Sequence, residues 1–552
     1  MSTTSAVRPA EAHESVGTGP VRSHRGRRAL AVVLGGALLL AWVAYLYSLG
    51  WRAFASHSDS SNALLAGRDL VGGNVFLRHW ELPAAHYWPF ELALYGLASR
   101  VLGLGPGALH VVPTVVGAAV VLTGAGLARA GRPGFPGWVA AGVVMVLLGL
   151  PSPFLTYVLY QGPWHVGTAL WCLAAFALLG HRFGTGRWWL GVAALWAAVT
   201  GDALAVALGV GPVLAGGLLA TLRGRAWGPL RAAAAAGGVA TAGAVLTRLA
   251  LDQLGGFAVV GQPLAPRGAW VGNLGAVPRV MTTLLGWHHE NLEGNYRELH
   301  LLGVEAVTVG LAATAIAVLW RTVPRRGARP GDGRSHWLDD VLLAGFVGGV
   351  AATAAIMVPG AGLAGGRYVA APVVFGVILA GRRVGQGVAR LPPRAARWVA
   401  VVGLAAAAFH LVASSSYLSD PLHPHKERDL AAWLETQDLR TGFGSYWVAS
   451  DVVVQSRGRV VVRPVVAVGG KLHGLGFYAP RRWFQASGPT GSAPHFLVHD
   501  RDLPWGGVEA GVAEATFGPP ARTLRYRSYD VLVWEHDLAP QLGPPWRQGD
   551  PL

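Results

Sequence analysis

The chain has 552 residues, of which 52% are hydrophobic and only 13% are charged. Soluble domains carry about a quarter charged residues, so this composition excludes an ordinary water-soluble protein and indicates a polytopic membrane protein. The formal net charge is +16, but the arginines lie in short clusters between apolar runs. That pattern is typical of membrane topology rather than of a nucleic-acid surface, and no nucleic-acid partner is predicted. The single cysteine excludes an intramolecular disulfide.

The N-terminus combines a basic tail with a first apolar run. Residues 1–28 lack apolar periodicity and end in RSHRGRR, which predicts a disordered basic cytoplasmic tail. Residues 29–50 are long enough to cross about 30 Å of hydrocarbon. Because this run exceeds the apolar core of a cleaved signal peptide, it predicts an uncleaved first helix with its N-terminus in the cytoplasm.

Further apolar runs lie at 108–128, 137–151, 164–180, 188–201, 203–222, 231–251, 300–320, 337–358, 368–381 and 397–414. With the first run, the sequence predicts about 11 transmembrane helices, a count read from hydropathy alone. Arginine-rich segments alternate with segments such as 151–163 and 200–203, which contain no lysine or arginine. This alternation predicts that the C-terminus lies outside the cell membrane. Runs 188–201 and 368–381 are short, so they would thin the bilayer or be partly re-entrant.

The predicted fold class is mostly α, a polytopic membrane protein with a small extracytoplasmic α/β C-terminal domain. Residues 29–414 form the transmembrane domain, with external loops 51–107 and 252–299, and 415–552 form the C-terminal domain. The first loop contains the amphipathic WPFELALYGLASRVLG, which predicts a helix in the membrane interface. In the C-terminal domain, RDLAAWLETQ is helical, and four runs are strand-like: YWVASDVVVQ, RVVVRPVVAV, PHFLVHD and YDVLVWEHD.

Two acidic residues lie at the predicted external boundary. Asp59 follows the first apolar run in HSDSSNALLAGRD, where it either caps the helix predicted for residues 60–70 or takes part in chemistry. Asp202 lies between two apolar runs in VTGDALAVALGVGP, where capping is again the alternative. An acid at the edge of the hydrocarbon is costly enough to be a functional candidate.

Arg367 departs from the charge pattern. It is the basic residue of the short external segment PGAGLAGGRYVAAPVV, among glycines that allow a ligand to approach the backbone. An arginine binds phosphate in a bidentate manner, and a side chain reaching for lipid headgroups is the alternative interpretation.

Two other polar clusters lie on the same predicted side. HWELPAAHYWPFEL supplies polar candidate ligands, although its aromatic residues also fit an interfacial belt. HHEN at 288–291 would suggest a metal, but adjacent histidines do not converge on one ion and no second cluster has ligand spacing, so no metal site is predicted. The candidate ligand residues of these stretches are Glu81, His86, Tyr87, Glu91, His288, His289 and Glu290, to which His57 and Asp202 are added.

The arrangement resembles the GT-C class of polytopic glycosyltransferases, which includes protein O-mannosyltransferases and lipid A aminoarabinose transferases. The features that match are the first helix with a basic flank, SDSSNALLAGRD after it, GGRYVAAP at a late helix and an external C-terminal domain. The resemblance covers residues 29 to about 414 in architecture, and its motif content is thin. In the class an acid often follows the first-loop acid, whereas Ser60 and Ser61 follow here, which leaves acceptor class and divalent-metal dependence open.

The resemblance implies that a sugar leaves a polyprenyl-phosphate carrier and is transferred to a glycan, lipid or protein acceptor on the external face. Asp59 would then be the general base, Arg367 with Tyr368 would bind the carrier phosphate, and the candidate ligand residues, Asp202 among them, would bind the sugar or acceptor. No cofactor is expected. The alternatives are a transporter or flippase of lipid-linked glycans and a non-enzymatic protein of cell-envelope glycan assembly. Candidate acids at one surface rather than at mid-helix depth favour the enzyme, a hexosyl- or pentosyltransferase.

Overall fold

The computed structural model describes residues 22–53, 58–224, 226–261, 264–285, 310, 333–356, 365–415, 418, 426–484, 494–502, 506 and 508–546. The predicted tail before residue 22, most of the predicted span 300–320 and the HHEN stretch lie outside these residues. The chain divides into two compact units, Met1–Tyr45 and Leu46–Leu552. Helix α1 (Arg22–Ala53) begins in the first unit, where Leu30, Val33 and Leu38 are exposed, as expected for a helix in lipid.

The helices of the second unit that precede the C-terminal domain are α2 (Ser58–Val71), α3 (Phe90–Leu102), α4 (Pro106–Arg129), α5 (Gly134–Gly149), α6 (Pro153–Tyr160), α7 (Val166–Leu179), α8 (Gly186–Gly201), α9 (Gly211–Gly224), α10 (Gly228–Gln253), α11 (Trp270–Leu284), α12 (Gly333–Ile356), α13 (Gly366–Val388) and α14 (Pro393–Ser415). A π-helical turn, Val206–Val210, leads into α9. Helices satisfy their own backbone hydrogen bonds, which is why hydrocarbon favours them.

Within the described residues, seven helices are long and apolar enough to cross a membrane, or eight if α5 and α6 form one bent span. Helix α7 is apolar but shorter, and α8 has 16 residues. The multi-pass architecture is therefore confirmed, while the count of 11 crossings stays a prediction. The predicted short loop 151–163 holds helix α6, which follows α5 after a sharp bend.

Helix α13 lies at the centre of the bundle and carries Arg367 in its first turn. It packs against α4, α5 and α12, and 83% of its most apolar 18-residue segment is buried. Gly381 and Gly385 allow close packing, because a Cβ at Gly381 would lie 2.6 Å from the backbone oxygen of Ala140 on α5. Arg367 therefore lies on the most buried of the candidate spans in the described residues.

Buried ion pairs tie the far end of α13 to its neighbours. Arg382 donates from Nε to Asp339 of α12, and Arg383 Nη2 lies 2.9 Å from the same carboxylate. Arg223 of α9 pairs with Asp340. Arg382 is fifteen residues beyond Arg367, or about 22 Å along the helix, so this cluster is remote from the candidate acids.

Helices α2 and α3, which both belong to the first loop, cross at two glycines. A Cβ at Gly67 would lie 2.3 Å from the backbone oxygen of Leu92, and a Cβ at Gly96 would lie 2.3 Å from the backbone oxygen of Gly67. Helix α3 exposes Leu94, Leu97 and Val101 on one face. An exposed apolar face is what the predicted interfacial helix requires.

A small sheet joins the C-terminal domain to the two loops that are predicted to be external. Strand β1 (Trp80–Pro83) pairs in parallel with β2 (Ala258–Val260) and antiparallel with Ala479–Pro480, which is β6 in chain order. Glu81 of β1 also pairs with Arg481 at 2.7 Å. The C-terminal domain is thus fastened to the first loop.

The C-terminal domain is built around a seven-stranded mixed sheet in the order β10-β5-β4-β3-β7-β9-β8. Its strands are β3 (Thr441–Gly444), β4 (Val461–Val468), β5 (Lys471–Leu475), β7 (His495–Asp500), β8 (Arg522–Tyr526), β9 (Tyr529–Trp534) and β10 (Gly543–Trp546). Its helices are α15 (Lys426–Thr436), α16 (Tyr446–Gln455) and α17 (Ala510–Phe517). Two apolar clusters, one including α15 and α16 and one including α17, form its core, and the predicted α/β class is confirmed.

One predicted strand of this domain is wrong. YWVASDVVVQ forms helix α16, whereas the other three strand-like runs contain β4, β7 and β9. Val448 and Val452, one helical turn apart, pack in the same cluster as Leu430 and Leu434 of α15. This packing outweighs the preference of β-branched residues for strands.

Candidate functional site

Asp59 lies where three elements meet. Helix α2 begins at Ser58, so Asp59 is in its first turn rather than in front of it. Asp59 Oδ1 accepts a 2.5 Å hydrogen bond from Tyr446 Oη of α16, and Oδ2 lies 3.8 Å from Nη1 of Arg367. The carboxylate is 19% exposed. An accessible carboxylate is therefore held between a phenol and a guanidinium.

Arg367 offers donors that the described protein does not satisfy. Its Nη2 donates to Tyr368 Oη at 3.1 Å, and its central carbon lies 4.9 Å from the centre of the Tyr368 ring. Nε is buried and has no hydrogen bond within the described residues, while 32% of the side chain is exposed. Because guanidinium has five N–H donors, this arrangement suits an anion.

Asp202 is a buried structural centre with several partners. It is 2% exposed, and its carboxylate accepts from Thr168 Oγ1 at 2.6 Å and from the backbone N of Leu204 at 2.9 Å. Burial acts to raise the pKa of Asp202, but the adjacent His165 and these hydrogen bonds outweigh it and lower the pKa. These contacts hold the buried carboxylate of Asp202 in place.

His165 links Asp202 to the region of Arg367, and sequence reasoning missed it. Its Nδ1 lies 2.6 Å from Asp202 Oδ2, and its ring centre is 5.5 Å from that of Tyr368. Its φ of 62° is left-handed, and its backbone N donates to Tyr87 Oη. Because a carboxylate accepts hydrogen bonds, Nδ1 donates in this contact. No motif marked this residue, since the histidine lies at the start of the apolar run 164–180.

Tyrosines surround Asp59. Burial and the neighbouring Asp59 raise the pKa of Tyr446 well above its usual value, so its hydroxyl stays protonated. Burial likewise raises the pKa of Tyr478, with Asp59 and Glu91 adding to the effect. Tyr157 of α6 is close enough to interact electrostatically with Asp59 and Arg367. The sequence offered no signal for these residues, because each comes from a segment far from Asp59 in the chain.

Glu91 and Tyr87 belong to the same region as Asp202. Burial and the charge of Asp202 raise the pKa of Glu91 to about 8, and the side chain packs against Gly167 at the start of α7. Glu91 therefore carries a proton at neutral pH. Burial and nearby Asp202 also raise the pKa of Tyr87 well above its usual value.

The other predicted ligands have different surroundings. His86 packs on Phe257 with ring centres 4.8 Å apart, and burial together with Arg248 lowers its pKa to about 3, so it is neutral. Glu81 is 1% exposed and binds Arg481. His57, His288, His289 and Glu290 lie outside the described residues. Among the residues that the structure describes, no group of three His, Cys, Asp or Glu is placed to hold a metal.

The similarity to known structures covers nearly the whole chain. ArnT from Cupriavidus metallidurans in the apo state matches with a TM-score of 0.54 at 14% identity, over 93% of this chain and 100% of that chain. ArnT bound to undecaprenyl phosphate matches with a TM-score of 0.51 at 14% identity, over 92% and 99%. The fold is that of the GT-C glycosyltransferases.

A weaker similarity is to the archaeal oligosaccharyltransferase AglB from Archaeoglobus fulgidus, in complex with an inhibitory peptide and a dolichol-phosphate. Its TM-score is 0.44 at 13% identity, over 92% of this chain and 77% of that chain. No protein-family model and no curated protein sequence matches the chain. The similarity to ArnT confirms the predicted GT-C resemblance at the level of the fold.

Proposed function

We propose that the protein is a membrane glycosyltransferase that moves a sugar from a polyprenyl-phosphate donor to an acceptor hydroxyl on the external face. The observation that carries the proposal is the approach of Asp59 Oδ2 to within 3.8 Å of Arg367 Nη1 in a GT-C fold. One group is a base that accepts a proton, and the other is a cation that binds phosphate. Undecaprenyl phosphate in the ArnT structure supports a polyprenyl donor.

In the proposed reaction, Asp59 takes the proton of the acceptor hydroxyl while the oxygen attacks the anomeric carbon of the sugar. The bond between that carbon and the phosphate oxygen breaks, and its electron pair leaves with the polyprenyl phosphate. A single displacement of this kind inverts the anomeric configuration. General-base catalysis of this type contributes about 10²- to 10⁴-fold to the rate.

Arg367 and Tyr368 bind the phosphate in this proposal. Negative charge develops on the leaving phosphate, and a guanidinium aimed at that position stabilises the transition state more than the ground state. Nε of Arg367 has no hydrogen bond within the described residues, and the side chain is partly exposed, which supports this role. The Tyr368 hydroxyl already accepts from Arg367 and so orients the guanidinium plane.

The sugar or acceptor binds beside these groups, next to Tyr87, Glu91 and the pair His165–Asp202. Protonated Glu91 donates a hydrogen bond to a sugar hydroxyl, whereas Asp202 acts by orienting His165. Tyr157, against which Trp164 packs edge-on at 4.2 Å, offers aromatic surface close to Asp59. The surroundings of His86 and Glu81 support structural roles for those two residues.

The alternative function is transport or flipping of a lipid-linked glycan, and it requires no base. The discriminating assay uses the full-length protein in proteoliposomes with undecaprenyl-phosphate-linked hexoses and pentoses radiolabelled in the sugar, and native membranes as acceptor. We expect transfer by the wild type and a loss of at least about a hundredfold in Asp59→Asn, which keeps size but cannot accept the proton. Near-normal transfer by Asp59→Asn would exclude Asp59 as the base.

A further inference from the structure

We infer that Tyr446 is a positioning residue for Asp59, so that the C-terminal domain completes the active site within the same chain. The inference rests on the proposed function, in which Asp59 is the base. Its main support is the 2.5 Å hydrogen bond from Tyr446 Oη to Asp59 Oδ1, which joins residues 387 positions apart in the sequence. The phenol comes from the first residue of helix α16.

A buried polar interface fixes α16 on α2 around this bond. Ser58 Oγ donates to the backbone oxygen of Tyr446, so Tyr446 contacts the first turn of α2 through its main chain and its hydroxyl. One turn further along, Ser61 donates to Asp451. Ser450 donates to Asn62 Oδ1 at 2.5 Å.

Few other placements of α16 on α2 would satisfy the buried polar groups of this interface. The side chains of Ser61, Asn62 and Ser450 are fully buried, and Asp451 is 1% exposed. A buried polar group that loses its partner costs about 1–3 kcal/mol. Sliding α16 along α2 would break several of these hydrogen bonds at once. The contact between Tyr446 and Asp59 is therefore set by the register of the whole interface.

The hydrogen bond selects which carboxylate oxygen faces the reaction. With Oδ1 held by the phenol, Oδ2 is directed to the side of Arg367. Without Tyr446, rotation of the carboxyl group exchanges the two oxygens and lets Asp59 close on Arg367. A base displaced in this way loses rate steeply, because proton transfer needs a defined geometry.

Replacing Tyr446 by Phe isolates this hydrogen bond. Among the described residues, the groups that face Asp59 are Arg367 of α13, Tyr157 of α6, Tyr446 of α16 and Tyr478 just before β6. The Phe variant removes the hydrogen bond that the phenol donates to the carboxylate and leaves the other groups in place.

The test compares Tyr446→Phe with Tyr529→Phe, using the undecaprenyl-phosphate-linked sugar that the wild type transfers. Tyr529 is the matched control, because it is a buried tyrosine of the same domain that donates to a carboxylate, Glu427, at 3.4 Å. We expect Tyr446→Phe to lower kcat about tenfold to a hundredfold, as the loss of a hydrogen bond to a charged group does. Binding of undecaprenyl phosphate should stay unchanged, so that the loss is confined to kcat.

Further variants separate positioning from folding. In the Asp59→Asn background, Tyr446→Phe should have no additional effect on transfer, since Tyr446 acts through Asp59. The melting temperature of each variant in detergent reports any loss of folded protein, and Ser450→Ala tests the interface without touching Asp59. The inference is overturned if Tyr446→Phe keeps wild-type kcat, or if its effect persists in full beside Asp59→Asn. Absence of transfer by the wild type overturns the proposed function and this inference together.

Discussion

Nδ1 of His165 lies 2.6 Å from Oδ2 of Asp202, and the two side chains are only 9% and 3% exposed. Asp202 ends helix α8, and His165 precedes helix α7, so the contact fastens two helices at the level of the candidate site. The imidazole also lies near Tyr368, next to Arg367. A buried acid that the sequence offered as a ligand is therefore paired with a histidine.

The first prediction concerns this pair. Asp202→Asn places an amide against groups that donate to the carboxylate, and we expect a loss of about 1–3 kcal/mol in stability with reduced sugar transfer. Melting temperature in detergent and the transfer assay measure both effects. Asp252→Asn is the control, because its carboxylate pairs with Arg248 but is 49% exposed.

The sign of the pH dependence follows from the lowered pKa of Asp202. In the unfolded chain the carboxyl group has its usual pKa of 3.8, whereas the folded protein holds the proton only at lower pH. The stability that Asp202 contributes is present above that value and is lost as pH falls through the folded pKa. Equal stability of wild type and Asp202→Asn at neutral pH would contradict the assignment.

The second prediction uses the raised pKa of Glu91. Burial and Asp202 raise this pKa to about 8 from its usual value of 4.5, so the folded protein binds the proton more tightly than the unfolded chain. Stability should therefore fall as pH rises from about 4.5 to 8. Glu91→Gln should flatten this dependence in melting curves, and Glu514→Gln, at an exposed position, should not. Parallel curves for wild type and Glu91→Gln would rule out a buried protonated Glu91.

The third prediction concerns phosphate binding. Arg367→Lys keeps the charge but not the planar fork, so we expect the Kd for undecaprenyl phosphate to rise about tenfold. Arg248→Lys is the control, because Arg248 pairs with Asp252 on α10. Binding by Arg367→Gln at wild-type affinity would assign Arg367 to contact with lipid headgroups instead.

The fourth prediction tests how the C-terminal domain is fastened to the first loop. Arg481→Gln removes the 2.7 Å ion pair of Glu81, a carboxylate that is 1% exposed. We expect faster cleavage in limited proteolysis and a free energy of unfolding lowered by about 1–3 kcal/mol. Adding Glu81→Gln should restore part of the stability, because the buried charge is removed with its partner. Arg440→Gln, in an exposed pair with Asp438, should behave as wild type.

The fifth prediction concerns orientation in the membrane. Cysteines at Val75 and Glu514 should react with a membrane-impermeant maleimide in intact cells, and a cysteine at Gly224 should react only after permeabilisation. All three positions are exposed, and native Cys172 is buried, which keeps the background low. The reason is the excess of arginine on the side of Gly224. Labelling of Gly224 in intact cells would reverse the predicted topology.

The sequence by itself determined the membrane class, most of the spans and the two groups of the central contact. Hydropathy over about twenty residues reports whether a segment can cross hydrocarbon, and this property is local. Asp59 and Arg367 were found because each is a charged residue next to a membrane span in a place where charge is costly. No packing information was needed for either.

Only the tertiary structure places Tyr446 beside Asp59 and pairs His165 with Asp202. Tyr446 lies in a run whose valines favour a strand, yet packing against α15 makes it a helix whose first residue reaches Asp59. His165 has no sequence signal, since its function depends on a carboxylate 37 residues away. Local patterns report what a segment can bury, whereas hydrogen bonds between distant segments depend on how the buried faces pack together.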